Sequence, residues 1–503
     1  MQRMIQNRKS GVLMPVFSLP SAEGIGTLGE NAYRFVDWLQ KSGATIWQVL
    51  PLLPTGYGDS PYQSCASDAL NHYFIDLQTL VKEGLLENED LAIDWGEERK
   101  IDYGKLFEKK VSVLKKAYFN FDKTDKAWKA FLRKGKYRDY ATFMTLKTTY
   151  SYAPWTEWKD CYKNREKAAL AEFEKEHAEE IGFWQFTQFV FLKQWRNLKT
   201  YANENGIEIM GDMPIYLSFD SVETWTSREK LFILGKDGNP SLRAGVPPDA
   251  FSEDGQLWGN PVYNWEKMRK NGYRWWRNRI KYAFEFFDIV RIDHFRGFDR
   301  FYVIPEGSQS AKNGEWLQGP SAALFKTLKD KEIVAEDLGL IDDGVRAMMK
   351  ATGYPGMKVL SFGWNGDPES EHKASNFKRN VCAYTGTHDN SPLLVTVSEL
   401  LSEEKRQYFL PEFNLENEKL GLPIVEKDVD EETVCDVMIE QLFASEANTV
   451  IIPMQDLLHM GEESRINRPS ALSSENWTFR FISQDFTSEA AERFKSLAKK
   501  YFR

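Results

Sequence analysis

Short apolar runs recur along the chain, each followed by a turn and a helical pattern, and this rhythm leaves few folds open. The runs are Ile46-Trp47-Gln48-Val49-Leu50, Ile207-Glu208-Ile209-Met210, Asp288-Ile289-Val290-Arg291-Ile292, Glu332-Ile333-Val334-Ala335, Val381-Cys382-Ala383-Tyr384 and Thr449-Val450-Ile451-Ile452-Pro453. They read as buried parallel strands. An early strand near Gly11 to Val16 and another near Met357 to Leu360 bring the expected number to eight. Strand–helix alternation over such a length predicts an α/β fold, a (β/α)8 TIM barrel. The stretch 80–200 breaks the rhythm with Lys, Glu and aromatics, and Lys167 to Glu180 reads as helix. It is expected to be a helical insertion. Residues 401–445 read as a second helical excursion, and 220–285 as a loop region over the site. The whole of 1–503 is expected to form one catalytic barrel, with no separate C-terminal β domain.

The 503 residues, 42% hydrophobic and 28% charged, suffice for a large core. A net charge of −9 and the lack of a long Lys/Arg run make nucleic acid and anionic membranes poor partners. The polar start, Met1 to Ser10, has no apolar region behind it, which leads to a cytoplasmic expectation. Cys65, Cys161, Cys382 and Cys435 are far apart and read as reduced thiols. The six His are scattered, so no metal site is expected. No GxGxxG, GxxxxGK[ST], GxSxG or HExxH pattern opens another chemistry.

In a barrel the catalytic groups sit at the C-terminal ends of strands, around one pocket. Here three strand ends run into Arg291-Ile292-Asp293-His294, Ala335-Glu336-Asp337 and Thr387-His388-Asp389-Asn390. A lone acid at a strand end more often caps a helix or completes a salt bridge. Three converging acids, two with a neighbouring His, instead match glycoside chemistry. One carboxylate attacks the anomeric carbon, a protonated carboxyl donates to the leaving oxygen, and a third steadies positive charge in the transition state.

Other motifs extend the pattern along nearly the whole chain. They are Ser10-Gly11-Val12-Leu13, Trp47-Gln48-Val49-Leu50-Pro51-Leu52, Gly56-Tyr57-Gly58-Asp59-Ser60-Pro61-Tyr62, Gly211-Asp212-Met213-Pro214-Ile215-Tyr216, Gly245-Val246-Pro247-Pro248-Asp249-Ala250-Phe251 and Gly255-Gln256-Leu257-Trp258-Gly259-Asn260-Pro261. As an ordered series they resemble the amylomaltase, or disproportionating-enzyme, family, relatives of the α-amylases. The resemblance implies a retaining 4-α-glucanotransferase that needs no cofactor. It would move α-1,4-glucan segments between maltooligosaccharides, with glucose or short oligosaccharides as acceptors.

Carried over residue by residue, the resemblance makes Asp293 the nucleophile, Glu336 the acid/base and Asp389 the transition-state stabiliser. Arg291 would brace Asp293, His294 and His388 would bind sugar hydroxyls, and Tyr62 would stack on the sugar with Ser60 beside it. Asp249 and Trp258 belong to a segment resembling a lid over the acceptor side, and Asp337 and Asn467 match further sugar contacts. Tyr57 and Tyr103 resemble a secondary glucan site, with plain packing as the alternative. Asp212 is read as structural. The Asn-His pair that binds calcium in amylases is absent, so no metal is implied. Three departures stand out: Ser391-Pro392 after Asp389-Asn390, Ser470 in place of a glycine, and Glu475 before Asn476-Trp477. The rival readings are an α-glucan hydrolase on the same barrel and an inactive glucan-binding protein.

Overall fold

The computed structural model describes residues 8–56, 58–248, 253–469, 471 and 473–503. Its strands in chain order are β1 (Lys9–Leu13), β2 (Ile46–Gln48), β3 (Glu208–Met213), β4 (Leu242–Val246), β5 (Gln256–Pro261), β6 (Ile289–Ile292), β7 (Arg300–Pro305), β8 (Glu315–Gln318), β9 (Ile333–Ala335), β10 (Gly356–Val359), β11 (Val381–Tyr384) and β12 (Thr449–Pro453). Eight of them close a barrel in the order β1-β12-β11-β10-β9-β6-β3-β2, and every neighbouring pair is parallel. The chain is therefore a (β/α)8 barrel.

Period two along each strand sorts the side chains between the barrel interior and the surrounding helices. Leu13, Ile46, Met210, Ile289, Val334, Met357, Cys382, Tyr384 and Ile451 form one fully buried cluster. They fill the interior, so the barrel is a packed core rather than a pore. The Tyr384 hydroxyl donates to Gln48 Oε1 at 2.9 Å, which satisfies both buried groups. Two residues beyond three of these interior positions lie Asp212, Arg291 and Glu336, and Asp293 follows two beyond Arg291. The alternation that buries the apolar residues thus aims these charged ones into the upper mouth.

Between β2 and β3 the described residues run through several helices, among them Arg138–Thr149 and the 27-residue Ala178–Glu204. Lys167–Glu176 is a separate helix that ends at His177, so the single helix expected across Lys167 to Glu180 is broken there. Helices Arg406–Leu420 and Glu431–Ala444 lie between β11 and β12.

The segment 220–285, expected as loop, is largely ordered. It contributes β4 and β5 to an antiparallel sheet of order β5-β4-β7-β8. Its central pairing, Arg243 with Ile304 and Gly245 with Tyr302, joins segments on either side of β6. This second sheet stands beside the barrel mouth and carries Trp258. Among the described residues no helix is long and apolar enough to cross a membrane.

Candidate active site

The strand register carries the acids to one place. Asp212 on β3 is level with Arg291 on β6, and Ile292 is level with Ala335 on β9. The ladder continues one step past the strands: the Asp293 N–H donates to the Met213 carbonyl at 3.0 Å, and the Glu336 N–H to the Ile292 carbonyl at 3.0 Å. Asp293 and Glu336 are thus fixed on adjacent strands by main-chain bonds, while β11 delivers His388 and Asp389 from the other side of β10.

Arg291 is buried and ties the floor together. Its Nη1 donates to both oxygens of Asp212 at 2.8 Å and to Asp293 Oδ1 at 3.2 Å, and its Nε lies 3.3 Å from Met357 Sδ. Arg291 does touch Asp293, and its closer partner is Asp212. The second Asp212 oxygen also accepts the Tyr62 hydroxyl at 2.7 Å. Asp212 therefore orients both Arg291 and Tyr62. The strand-end rule applied to the other three acids would have marked it.

Removing Arg291 leaves two carboxylates on the floor without their cation. Arg291→Met is expected to cost about 3–5 kcal/mol in urea unfolding at neutral pH. That loss should shrink in acid, where the orphaned carboxyls protonate; a neutral-pH loss below about 1 kcal/mol would contradict this role.

Glu336 accepts two backbone N–H groups, from His294 to Oε2 at 2.7 Å and from Leu338 to Oε1 at 2.8 Å. The first requires His294 to adopt a left-handed backbone with φ +46. This is a strained conformation for a side chain with a Cβ, of the kind found at functional sites. Burial pushes the His294 imidazole down to about 3, with Arg296 adding to the effect. Burial also lowers His388, against the pull of Asp389. Both rings are held toward the neutral form, which can bond sugar hydroxyls without adding charge.

Asp389 is half-exposed, and Asn467 Nδ2 donates to its Oδ1 at 2.7 Å. His388 Nε2 lies 3.5 Å from its other oxygen. Asn467 thus holds the acid, and its own N–H donates to the His388 carbonyl at 3.1 Å. Asp337 is similarly engaged: its Oδ1 accepts the Met357 N–H at 2.7 Å. Gly356 makes room for it, since a Cβ there would stand 2.4 Å from the Asp337 carboxylate. Ser60 turns the loop, its Oγ accepting the Tyr62 N–H at 3.3 Å.

The Tyr62 ring stacks on His388, with centroids 5.1 Å apart and planes 13° from parallel. Trp477, which the sequence reading left without a role, packs against both at 5.8 and 5.9 Å. Its φ of +65 and the bond from Tyr103 OH to its carbonyl at 2.9 Å hold it there. Trp258 brings its ring edge-on to His294, 4.9 Å between centroids, and so joins the second sheet to the acids. Of the remaining expected positions, Tyr57, Asp249 and Ser470 lie outside the described residues. Ser391 accepts a bond from Arg465 Nη1 at 2.8 Å, and Glu475 pairs with Lys100 at 2.7 Å.

Burial, then Asp212, Glu336 and Asp389, push Asp293 up to about 8 against the pull of Arg291. Burial also raises Glu336, against Arg291 and its two backbone bonds. Two neighbouring buried carboxyls of this kind titrate as a pair and keep one proton through neutral pH.

Known proteins are similar to this chain in sequence and in fold. A family model described as 4-alpha-glucanotransferase matches residues 14–484. A 4-alpha-glucanotransferase of Clostridium butyricum is 40% identical over 500 residues, covering 97% of this chain and 100% of the relative. Another, from Aquifex aeolicus, is 42% identical over 491 residues, covering 96% and 97%. The solved amylomaltase from Streptococcus agalactiae in complex with acarbose matches with a TM-score of 0.91 at 38% identity, covering 99% of each chain. The chain belongs to the 4-alpha-glucanotransferase family.

Proposed function

We propose that the chain is a retaining 4-α-glucanotransferase in which Asp293 is the nucleophile, Glu336 the acid/base and Asp389 the stabiliser of the oxocarbenium-like transition state. The observation that carries the reading is the pairing of Asp293 and Glu336 on adjacent strand ends, with Arg291 against Asp293. The first step needs the pair's proton on Glu336 and its negative charge on Asp293, where Arg291 Nη1 stands 3.2 Å from Oδ1. Glu336 protonates the leaving glycosidic oxygen as Asp293 bonds to the anomeric carbon. It then takes the proton of an acceptor 4-OH, whose oxygen displaces Asp293. Two inversions retain the α-linkage.

His294, His388, Tyr62 and Trp258 support the sugar-binding part of the reading, as neutral or aromatic groups beside the acids. Glucose and short maltooligosaccharides are the proposed acceptors, and Tyr103 the secondary glucan contact. A cytoplasmic setting belongs to the same proposal; the four cysteines are free thiols, as a reducing compartment allows.

Transfer and hydrolysis share the first displacement and differ in what removes the sugar from Asp293. Trp258 and the second sheet stand on the side from which an acceptor would be oriented and water excluded. On maltotriose alone, glucose should appear together with a ladder of longer oligosaccharides, at nearly constant total reducing ends. Reducing ends that climb in step with glucose, without a ladder, would favour the hydrolase.

The shared proton predicts the pH profile. Once alkaline pH removes the last proton from the Asp293–Glu336 pair, both of whose carboxyls burial holds above the usual carboxylate range, Glu336 can no longer act as the acid and kcat falls. In acid a second proton neutralises the nucleophile and kcat falls again. A rate that stays flat from pH 7 to 10 would contradict the shared proton.

A further inference from the structure

Asp389 is held differently from the other two acids. Asp293 meets buried Arg291, and Glu336 accepts two backbone N–H groups. Asp389 instead stands 44% exposed on a loop without helix or strand, between β11 and the helix Leu393–Leu400. A carboxylate so placed keeps one direction only if the backbone beneath it is fixed.

The base of this loop is closed by Asp456, buried in the short helix that follows β12. Its two oxygens accept the Thr385 hydroxyl at 2.6 Å and the Leu393 N–H at 2.7 Å. Inside the loop, Asn390 Oδ1 accepts the Thr387 N–H at 2.8 Å and the Thr387 hydroxyl at 3.0 Å. Asp389 itself gains only a long bond here, from its N–H to Thr387 Oγ1 at 3.3 Å. These contacts set where the loop begins and ends and leave its tip to be fixed from elsewhere.

Arg465 fixes the tip with all three guanidinium nitrogens. Its Nη1 donates to Ser391 Oγ at 2.8 Å and to Glu462 Oε1 at 3.3 Å. Its Nε donates to the Asn467 carbonyl at 3.0 Å, and its Nη2 to the Asp389 carbonyl at 3.4 Å. Those two carbonyls belong to the residues whose side chains meet at 2.7 Å, Asn467 Nδ2 donating to Asp389 Oδ1. The fork therefore sets the spacing of the two main chains on which that contact depends. Ser391, a departure from the family pattern, is the outer anchor of the loop. It is neutral, and Glu462 pairs more closely with Arg468, at 2.7 Å. Geometry more than charge thus ties Arg465 to the loop. A planar guanidinium directs its donors along fixed lines, which a lysine ammonium cannot reproduce.

We propose that Arg465 is a positioning residue for Asp389, holding residues 387–391 against 465–467 so that Asn467 keeps the Asp389 carboxylate aimed at the reacting sugar. The proposal rests on the reading of Asp389 as the transition-state stabiliser. Stabilisation realised in the transition state appears in kcat, so misaiming Asp389 lowers kcat and leaves KM nearly unchanged.

The test is a double-mutant cycle in the full chain, with rates measured on α-maltotriosyl fluoride, a donor reactive enough to keep slow variants measurable. Arg465→Lys keeps the charge and loses the fork. It is expected to lower kcat at least about tenfold and to change KM by less than about threefold. In an Asp389→Asn background the same substitution should change kcat by less than about twofold, because no carboxylate remains to be aimed. Ser391→Ala leaves Arg465 in place and carries the test if Arg465→Lys does not fold. It should lower kcat by about threefold to tenfold and lose that effect in the Asp389→Asn background. Equal factors in the two backgrounds, or a loss confined to KM, would overturn the positioning role. Asp389→Asn alone reads the underlying assignment: a loss below about tenfold would remove Asp389 as stabiliser and the proposal with it. A large loss there, with equal factors for Arg465→Lys in both backgrounds, would sink Arg465 alone.

Discussion

Asp293→Asn is expected to abolish glucan transfer, with kcat on maltotriose falling at least about a thousandfold while the protein stays folded. The amide keeps the shape of the carboxylate but cannot form a glycosyl ester, so the first displacement has no nucleophile. At about 1.4 kcal/mol per tenfold, the loss corresponds to about 4 kcal/mol or more in the barrier. Fold retention follows from the position: the Asp293 side chain, mostly buried, keeps 27% exposure at the mouth, and Arg291 retains Asp212 at 2.8 Å when one charge is removed. Activity within about tenfold of the native chain would remove Asp293 from the nucleophile's role.

Glu336→Gln should be nearly as severe on maltooligosaccharides and differ in kind. The acid is needed because a sugar alkoxide leaves poorly without a proton. With a donor whose leaving group departs unaided, such as an α-maltotriosyl fluoride, the first displacement no longer needs Glu336. The second still does, since the acceptor hydroxyl must be deprotonated. The variant should therefore react with the fluoride at a rate within about a hundredfold of the native chain, yet stall on glucans by at least about a thousandfold. Equal losses on both donors would show that Glu336 is not the acid.

The barrel and its three acids were legible because both follow from local rules. Period-two burial along short apolar runs names the strands, and the strand-end rule then names Asp293, Glu336 and Asp389 without any knowledge of distant neighbours. What was not legible depends on partners far away in the chain. The sheet β5-β4-β7-β8 forms only when Arg243 meets Ile304, a pairing that neither segment announces in its own sequence, so 220–285 read as loop.

Asn467 and Asp337 match the motif of sugar contacts, but their polar groups here are engaged by Asp389 and by the Met357 N–H. A motif names a residue type and is silent on which bond that residue makes. Trp477 shows the same limit. It reaches the site through a strained φ and a bond from Tyr103, 374 residues away in sequence. Asp212 was read as structural, and the structure gives it that role on the site floor, bonded to both Arg291 and Tyr62.

The covalent step can be read directly by mass spectrometry of the Glu336→Gln chain after brief exposure to α-maltotriosyl fluoride, with the glycosylated peptide mapped after digestion. The account predicts a maltotriosyl ester on the peptide carrying Asp293 and on that residue, formed as fluoride is released. An ester on another carboxylate, or fluoride release that leaves no ester and yields the inverted sugar, would contradict it.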